Sequence, residues 1–122
     1  MEKKLRILFV DDEYQLRLVV SDQLKVEGYE VETADDGDTA IEIIKNGKFD
    51  LILLDIRMPR VSGIEVLKYL KEHKILTRVI MLTAVDDLSI ALESVKHGAN
   101  DYVTKPYDLD NLLVCIRKVT AR

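Results

Sequence analysis

At 122 residues with 48% hydrophobic side chains, the chain is long enough for one packed domain and too apolar for disorder. Its 18 basic and 22 acidic residues leave a net charge of −4, spread along the chain, which argues against the basic surface that wholesale nucleic-acid binding needs. The longest apolar run, Leu112 to Ile116, is far short of the about 20 residues that span a bilayer, and a lone Cys115 excludes an internal disulfide.

The opening Met1-Glu2-Lys3-Lys4 leads into a short apolar run that ends in two aspartates, which is not the pattern of a secretory signal. A cytoplasmic location is expected. Leu5-Arg6-Ile7-Leu8-Phe9-Val10 reads as a strand buried on both faces. Leu16, Val19, Val20 and Leu24 then recur at helical spacing, with Gly28 as a stop signal. Glu30 to Ala34 alternates, as an edge strand does. Ala40, Ile41 and Ile44 mark a second helix closed by Gly47, and Leu51-Ile52-Leu53-Leu54 is a third-position buried strand.

Ser62 followed by Glu65 is a capping box ahead of a helix whose inward residues are Ile64, Leu67 and Leu70. Val79 to Leu82 is another buried strand. Leu88, Ala91, Leu92 and Val95 form the stripe of the next helix, ended by Gly98. Asp101 to Thr104 is a short fifth strand, and Asp108 caps a last helix with Leu112, Leu113, Ile116 and Val119 on its inner face. The β-α alternation, five times over with short connections, predicts a single α/β domain over residues 1–122 with a parallel sheet and helices on both faces. No separate effector domain is expected. In such folds the site lies at the carboxyl ends of the strands, near the topological switch point.

The polar residues sit at those ends. Val10 runs into Asp11-Asp12-Glu13, Leu54 into Asp55, Leu82 into Thr83-Ala84, and Thr104 into Lys105-Pro106. A parallel sheet brings these ends to one edge, so three aspartates, a threonine and a lysine converge. Three carboxylates facing one ammonium raise carboxyl pKa values or draw in a cation, and an all-oxygen set suits Mg²⁺. Lys105 supplies a charge and Thr83 a hydroxyl for phosphoryl oxygens, and an aspartate is a competent covalent phosphoryl acceptor.

Over its whole length the chain resembles the receiver domains of two-component response regulators, of the chemotaxis-regulator type. The resemblance rests on Val10-Asp11-Asp12-Glu13, Asp55-Ile56-Arg57-Met58-Pro59 with Gly63, Thr83-Ala84 and Lys105-Pro106, in that order. It implies a flavodoxin-like, doubly wound sheet of order 2-1-3-4-5. It implies phosphorylation of Asp55 by a histidine kinase, a histidine phosphotransfer protein or a small phosphodonor. Mg²⁺ would be held by Asp12, Asp55 and the Arg57 backbone carbonyl, with Asp11 acting through a water. Lys105 and Thr83 would bind phosphoryl oxygens. Thr83 and Tyr102 would switch together and change the surface of the fourth helix, fifth strand and fifth helix, where a downstream partner or a second copy docks. A cis peptide between Lys105 and Pro106 is implied as well. Arg57 and Val85, two residues beyond Asp55 and Thr83, are expected to flank the site and slow loss of the phosphoryl group. Such a protein assists its own phosphorylation and dephosphorylation but is not a turnover enzyme.

Blander readings stand beside these. The acidic run Asp11-Asp12-Glu13 suits a helix N-terminus, Asp55 a turn, Lys105 a solvated surface and Thr83 a strand end. Cys115 reads as a small buried hydrophobe, and His73 and His97 as favourable helix C-terminal residues. An FMN-binding flavodoxin-like module is a rival, but Asp11-Asp12-Glu13 would repel its phosphate. A metal-dependent phosphatase with an aspartate nucleophile is another, though Arg57 stands where a second aspartate is usual.

Overall fold

The computed structural model describes residues 4–121. Five strands, β1 (Arg6–Val10), β2 (Glu30–Ala34), β3 (Leu51–Asp55), β4 (Arg78–Thr83) and β5 (Asp101–Thr104), alternate with five helices. The helices are α1 (Tyr14–Val26), α2 (Gly37–Asn46), α3 (Gly63–Glu72), α4 (Leu88–Lys96) and α5 (Leu109–Thr120), and a 3-10 turn at Val85–Asp87 leads into α4. All strand pairs are parallel, in the order β2-β1-β3-β4-β5. The chain reverses its winding between β1 and β3, which makes the cleft between their carboxyl ends the switch point.

The strand sequences explain their places. β3 is buried at every residue and sits at the centre, whereas β2, with its alternating glutamates, lies at an edge. Alternate side chains of the central strands feed two cores. Leu8, Val10, Ile52, Leu54, Val79 and Met81 pack with Ala40, Ile44, Val66, Leu67 and Leu70. Ile7, Phe9, Leu51, Leu53, Ile80 and Leu82 pack on the other side with Val20, Leu24, Leu112, Leu113, Ile116 and Val119.

Three helix starts are fixed by side chains. Asp36 accepts from the Thr39 amide at 2.8 Å, Ser62 from Glu65 at 3.3 Å, and Asp108 from Asn111 at 2.7 Å. Gly28 ends α1 at φ +100°, a conformation that favours glycine. The helix stripes expected from periodicity need correction in three places. Val19 is 54% exposed, because the buried seam of α1 runs through Val20, Ser21 and Leu24. In α3, Val66 is buried and Ile64 only partly so. In α4 only Ala91 and Ser94 are buried, while Leu88, Leu92 and Val95 face outward. The stripe of α5 is buried as expected.

Candidate functional site

The carboxyl ends of β1, β3, β4 and β5 bring Asp11, Asp12, Asp55, Thr83 and Lys105 to one end of the sheet. The registers Val10 beside Leu54, Asp55 beside Leu82 and Thr83 beside Thr104 place these ends in line. Lys105 Nζ donates to Asp11 Oδ2 at 2.8 Å and lies 3.4 Å from Asp55 Oδ2. One carboxylate oxygen from each of Asp11, Asp12 and Asp55 falls within 4.8 Å of the others. Hard oxygen donors in that number can hold a divalent cation. Asp12 is exposed, whereas Asp11 and Asp55 are buried, so the cluster is open on one side only.

Electrostatics follow from that burial. Loss of water pushes the Asp55 carboxyl up to about 6. Lys105 opposes the shift, and the carboxylates of Asp11 and Asp12 add to it. Burial also works against the Lys105 charge, but the hydrogen bond to Asp11 and the charge of Asp55 outweigh it and hold the ammonium above its usual value. The second oxygen of Asp11 accepts from the Glu13 amide at 2.9 Å, so both its oxygens have protein partners. Thr83 is buried, and its hydroxyl donates to the Ala84 carbonyl at 3.1 Å.

The loop after β3 is held close to the strand end. Gly63 donates to the Ile56 carbonyl at 2.9 Å, and a Cβ on Gly63 would collide with the main chain of Asp55 and Ile56. Only glycine allows that approach. Asp36, at the start of α2, pairs with Arg60 of the same loop, and Arg60 also reaches Asp38 at 3.3 Å. The Lys105–Pro106 peptide is cis. Tyr102 is half-buried against the core on the α2, α3 and α4 side, and Val85 is 68% exposed.

Sequence reading missed the partner of Arg57. Its guanidinium forms a two-pronged pair with Asp87, Nε to Oδ2 and a terminal nitrogen to Oδ1, both at 2.5 Å. These hydrogen bonds hold the buried Asp87 carboxyl below the usual range. Asp87 stands at the N-cap position of α4 but makes no side-chain cap there. Arg17, which donates to the Asp11 carbonyl at 2.8 Å, was also missed, and no signal in the sequence marked it. Tyr107 is a third: its hydroxyl is buried without a partner among the described residues. His73 and His97 are the C-terminal caps of α3 and α4, and Cys115 is buried.

Comparison with known proteins agrees with this geometry. The family model of the response regulator receiver domain matches residues 7–117. The regulatory protein AtoC of Escherichia coli is 40% identical over 113 residues, covering 93% of this chain and 24% of AtoC. The response regulator PmrA of Pseudomonas aeruginosa is 39% identical over 118 residues, covering 97% of this chain and 53% of PmrA. The chain thus spans about half or less of these relatives. Among solved structures, the receiver domain of the Francisella response regulator 1452 superposes with a TM-score of 0.90 at 31% identity, covering 98% of each chain. Chemotaxis protein CheY4 of Vibrio cholerae gives 0.88 at 33% identity, over 96% of this chain and 99% of that one. With an acidic cluster at the switch point of a 2-1-3-4-5 sheet and a family match over nearly all its length, the chain belongs to the response regulator receiver domain family.

Proposed function

We propose that the chain is a phosphorylation-activated switch in which Asp55 accepts a phosphoryl group from a histidine kinase, a histidine phosphotransfer protein or a small phosphodonor. The observation that carries this reading is the setting of Asp55. Its carboxylate is buried at the end of β3, 3.4 Å from an ammonium and clustered with two further carboxylates. In the transfer, an Asp55 oxygen forms a bond to phosphorus. The bond from phosphorus to the donor's nitrogen or oxygen breaks, and the electron pair leaves with that atom. As a receiver domain the chain is a signalling module and not a turnover enzyme.

Asp12, Asp55 and the Arg57 backbone carbonyl would hold Mg²⁺, which supplies charge neutralisation to the transferring group. Asp11 would act through a water, a role that suits a carboxylate whose two oxygens already accept from Lys105 and Glu13. Lys105 meets one phosphoryl oxygen. Thr83 meets another after releasing the Ala84 carbonyl. That movement makes room for Tyr102 to turn inward and alters the surface of α4, β5 and α5. A downstream protein, an effector domain or a second copy of the chain docks there. Driving such a two-state change from 1:99 to 99:1 takes roughly 5.5 kcal/mol of differential stabilisation, within reach of several charge-assisted bonds. Arg57, which lines the cleft with Asp12, and Val85, two residues beyond Thr83, would tune how long the phosphoryl group lasts, and Arg57→Asn and Val85→Glu are expected to shorten its life.

No helix among the described residues is long and apolar enough to cross a membrane. The protein acts in the cytoplasm, without direct nucleic-acid binding by this domain. The test is incubation with acetyl phosphate or a phosphoramidate, with and without Mg²⁺, followed by intact mass. One added phosphoryl group that requires Mg²⁺ and is lost in Asp55→Ala is expected; no gain in the wild type overturns the reading.

A further inference from the structure

We propose that Arg57 is a second cation for the phosphoryl group on Asp55, held in reserve by Asp87, and that its passage from Asp87 to the phosphoryl group frees the start of α4. The inference rests on Asp55 being the phosphoacceptor.

The pair joins the two loops that frame the site. Arg57 lies two residues beyond Asp55, and Asp87 lies four beyond Thr83, in the 3-10 turn that leads into α4. Arg57 and Asp12 line the same cleft, so the guanidinium stem starts at the mouth of the acidic cluster. The two partners are unequal in freedom. The Arg57 side chain is 71% exposed and can swing without unpacking anything, whereas the Asp87 side chain is 2% exposed.

Charge favours the exchange. Asp87 offers a single negative charge, but a phosphoryl group carries about −1.5 to −2 near neutral pH and presents oxygens that fit the guanidinium fork. Once Arg57 leaves, Asp87 becomes a buried carboxylate without its countercharge, which is unfavourable until it moves toward water. Little holds it back. α4 has no side-chain cap at its start, and its only buried residues are Ala91 and Ser94. A charge event at Asp55 is thereby converted into movement at α4, in addition to any pull exerted through Thr83.

The test compares the wild type with Asp87→Asn, Arg57→Met and the double variant, each loaded with acetyl phosphate and Mg²⁺ and followed by intact mass. Asp87→Asn releases Arg57 and is expected to lengthen the phosphoryl half-life roughly fivefold, the scale of one charge-assisted bond acting on a rate. Arg57→Met keeps bulk without charge and is expected to shorten it. The double variant should match Arg57→Met, since Asp87 acts only through Arg57. A half-life unmoved by Asp87→Asn, or moved equally with and without Arg57, overturns the inference while leaving Asp55 as acceptor. Absence of any mass gain in the wild type overturns the acceptor reading itself. The wild type offers a check free of substitutions: the Arg57 Nε–H resonance is expected to shift on phosphorylation, and an unchanged resonance overturns the inference.

Discussion

Helices α4 and α5 flank the same end of the sheet, yet they are held in different ways. α5 buries Leu112, Leu113, Cys115, Ile116 and Val119, and Asp108 caps its start. α4 buries only Ala91 and Ser94 and leaves Leu88, Ile90, Leu92 and Val95 between 38% and 50% exposed. Two buried polar residues belong to this region: Asp87 at the start of α4, paired with Arg57, and Ser94, whose hydroxyl donates to the Ile90 carbonyl. α5 is fixed by apolar contact, whereas the start of α4 is held by an ion pair that a new charge can rearrange. That division suits a switch: the part that must move is the part with least hydrophobic area to give up.

The largest effect expected is in α5. Ile116 is fully buried, and Ile116→Ala should lower unfolding free energy by about 3 kcal/mol in chemical denaturation, from lost transfer energy plus a cavity. A cost under about 1 kcal/mol would erase the contrast between the helices. Next comes the crevice. The native Asp55 carboxyl holds its proton up to about 6, above its ordinary 3.8. Ionisation is therefore harder in the folded than in the unfolded protein, and stability falls as pH rises from about 4 to about 6, then levels off. Asp55→Asn removes that loss. In metal-free buffer it should be more stable than wild type by about 2 kcal/mol at pH 7, after a discount for solvent near the carboxylate, and by nearly nothing at pH 4. Adding Mg²⁺ should narrow the gap by stabilising the wild type alone. A gap that persists at pH 4 would show that the burial of Asp55 is not its source. Smaller again is the cap: Asp108→Ala should cost about 1 kcal/mol by thermal or chemical unfolding, since the Asn111 amide loses its acceptor.

These contrasts also show what the sequence can and cannot say. The order of elements and the edge place of β2 were legible because apolar runs and alternation reflect burial directly, whereas the central place of β3 came only with the strand order that the family resemblance implied. The crevice was legible because strand ends in a parallel sheet must meet, so Asp11, Asp12, Asp55, Thr83 and Lys105 could be grouped without coordinates. The seam of α4 was not. Leu88, Ala91, Leu92 and Val95 recur at helical spacing, but periodicity records that a helix has an apolar face and not whether a neighbour covers it. The Arg57–Asp87 pair was hidden for a different reason. It links residues 30 apart through loops whose paths no local pattern determines.

The smallest effect is the most telling for α4. Leu92 is 50% exposed, so Leu92→Ala removes side-chain atoms that are already half in water and leaves no closed cavity. The cost should stay within about 0.5 kcal/mol, read as an unchanged urea midpoint and slope. A cost above about 1 kcal/mol would mean that α4 docks against the sheet as firmly as α5 does, and then a phosphoryl group would have to displace packed apolar surface as well as an ion pair. With the cost small, the same substitution separates folding from signalling. The outward face of α4 would be free to serve a partner, and Leu92→Ala should weaken docking on that face while the fold stands unchanged.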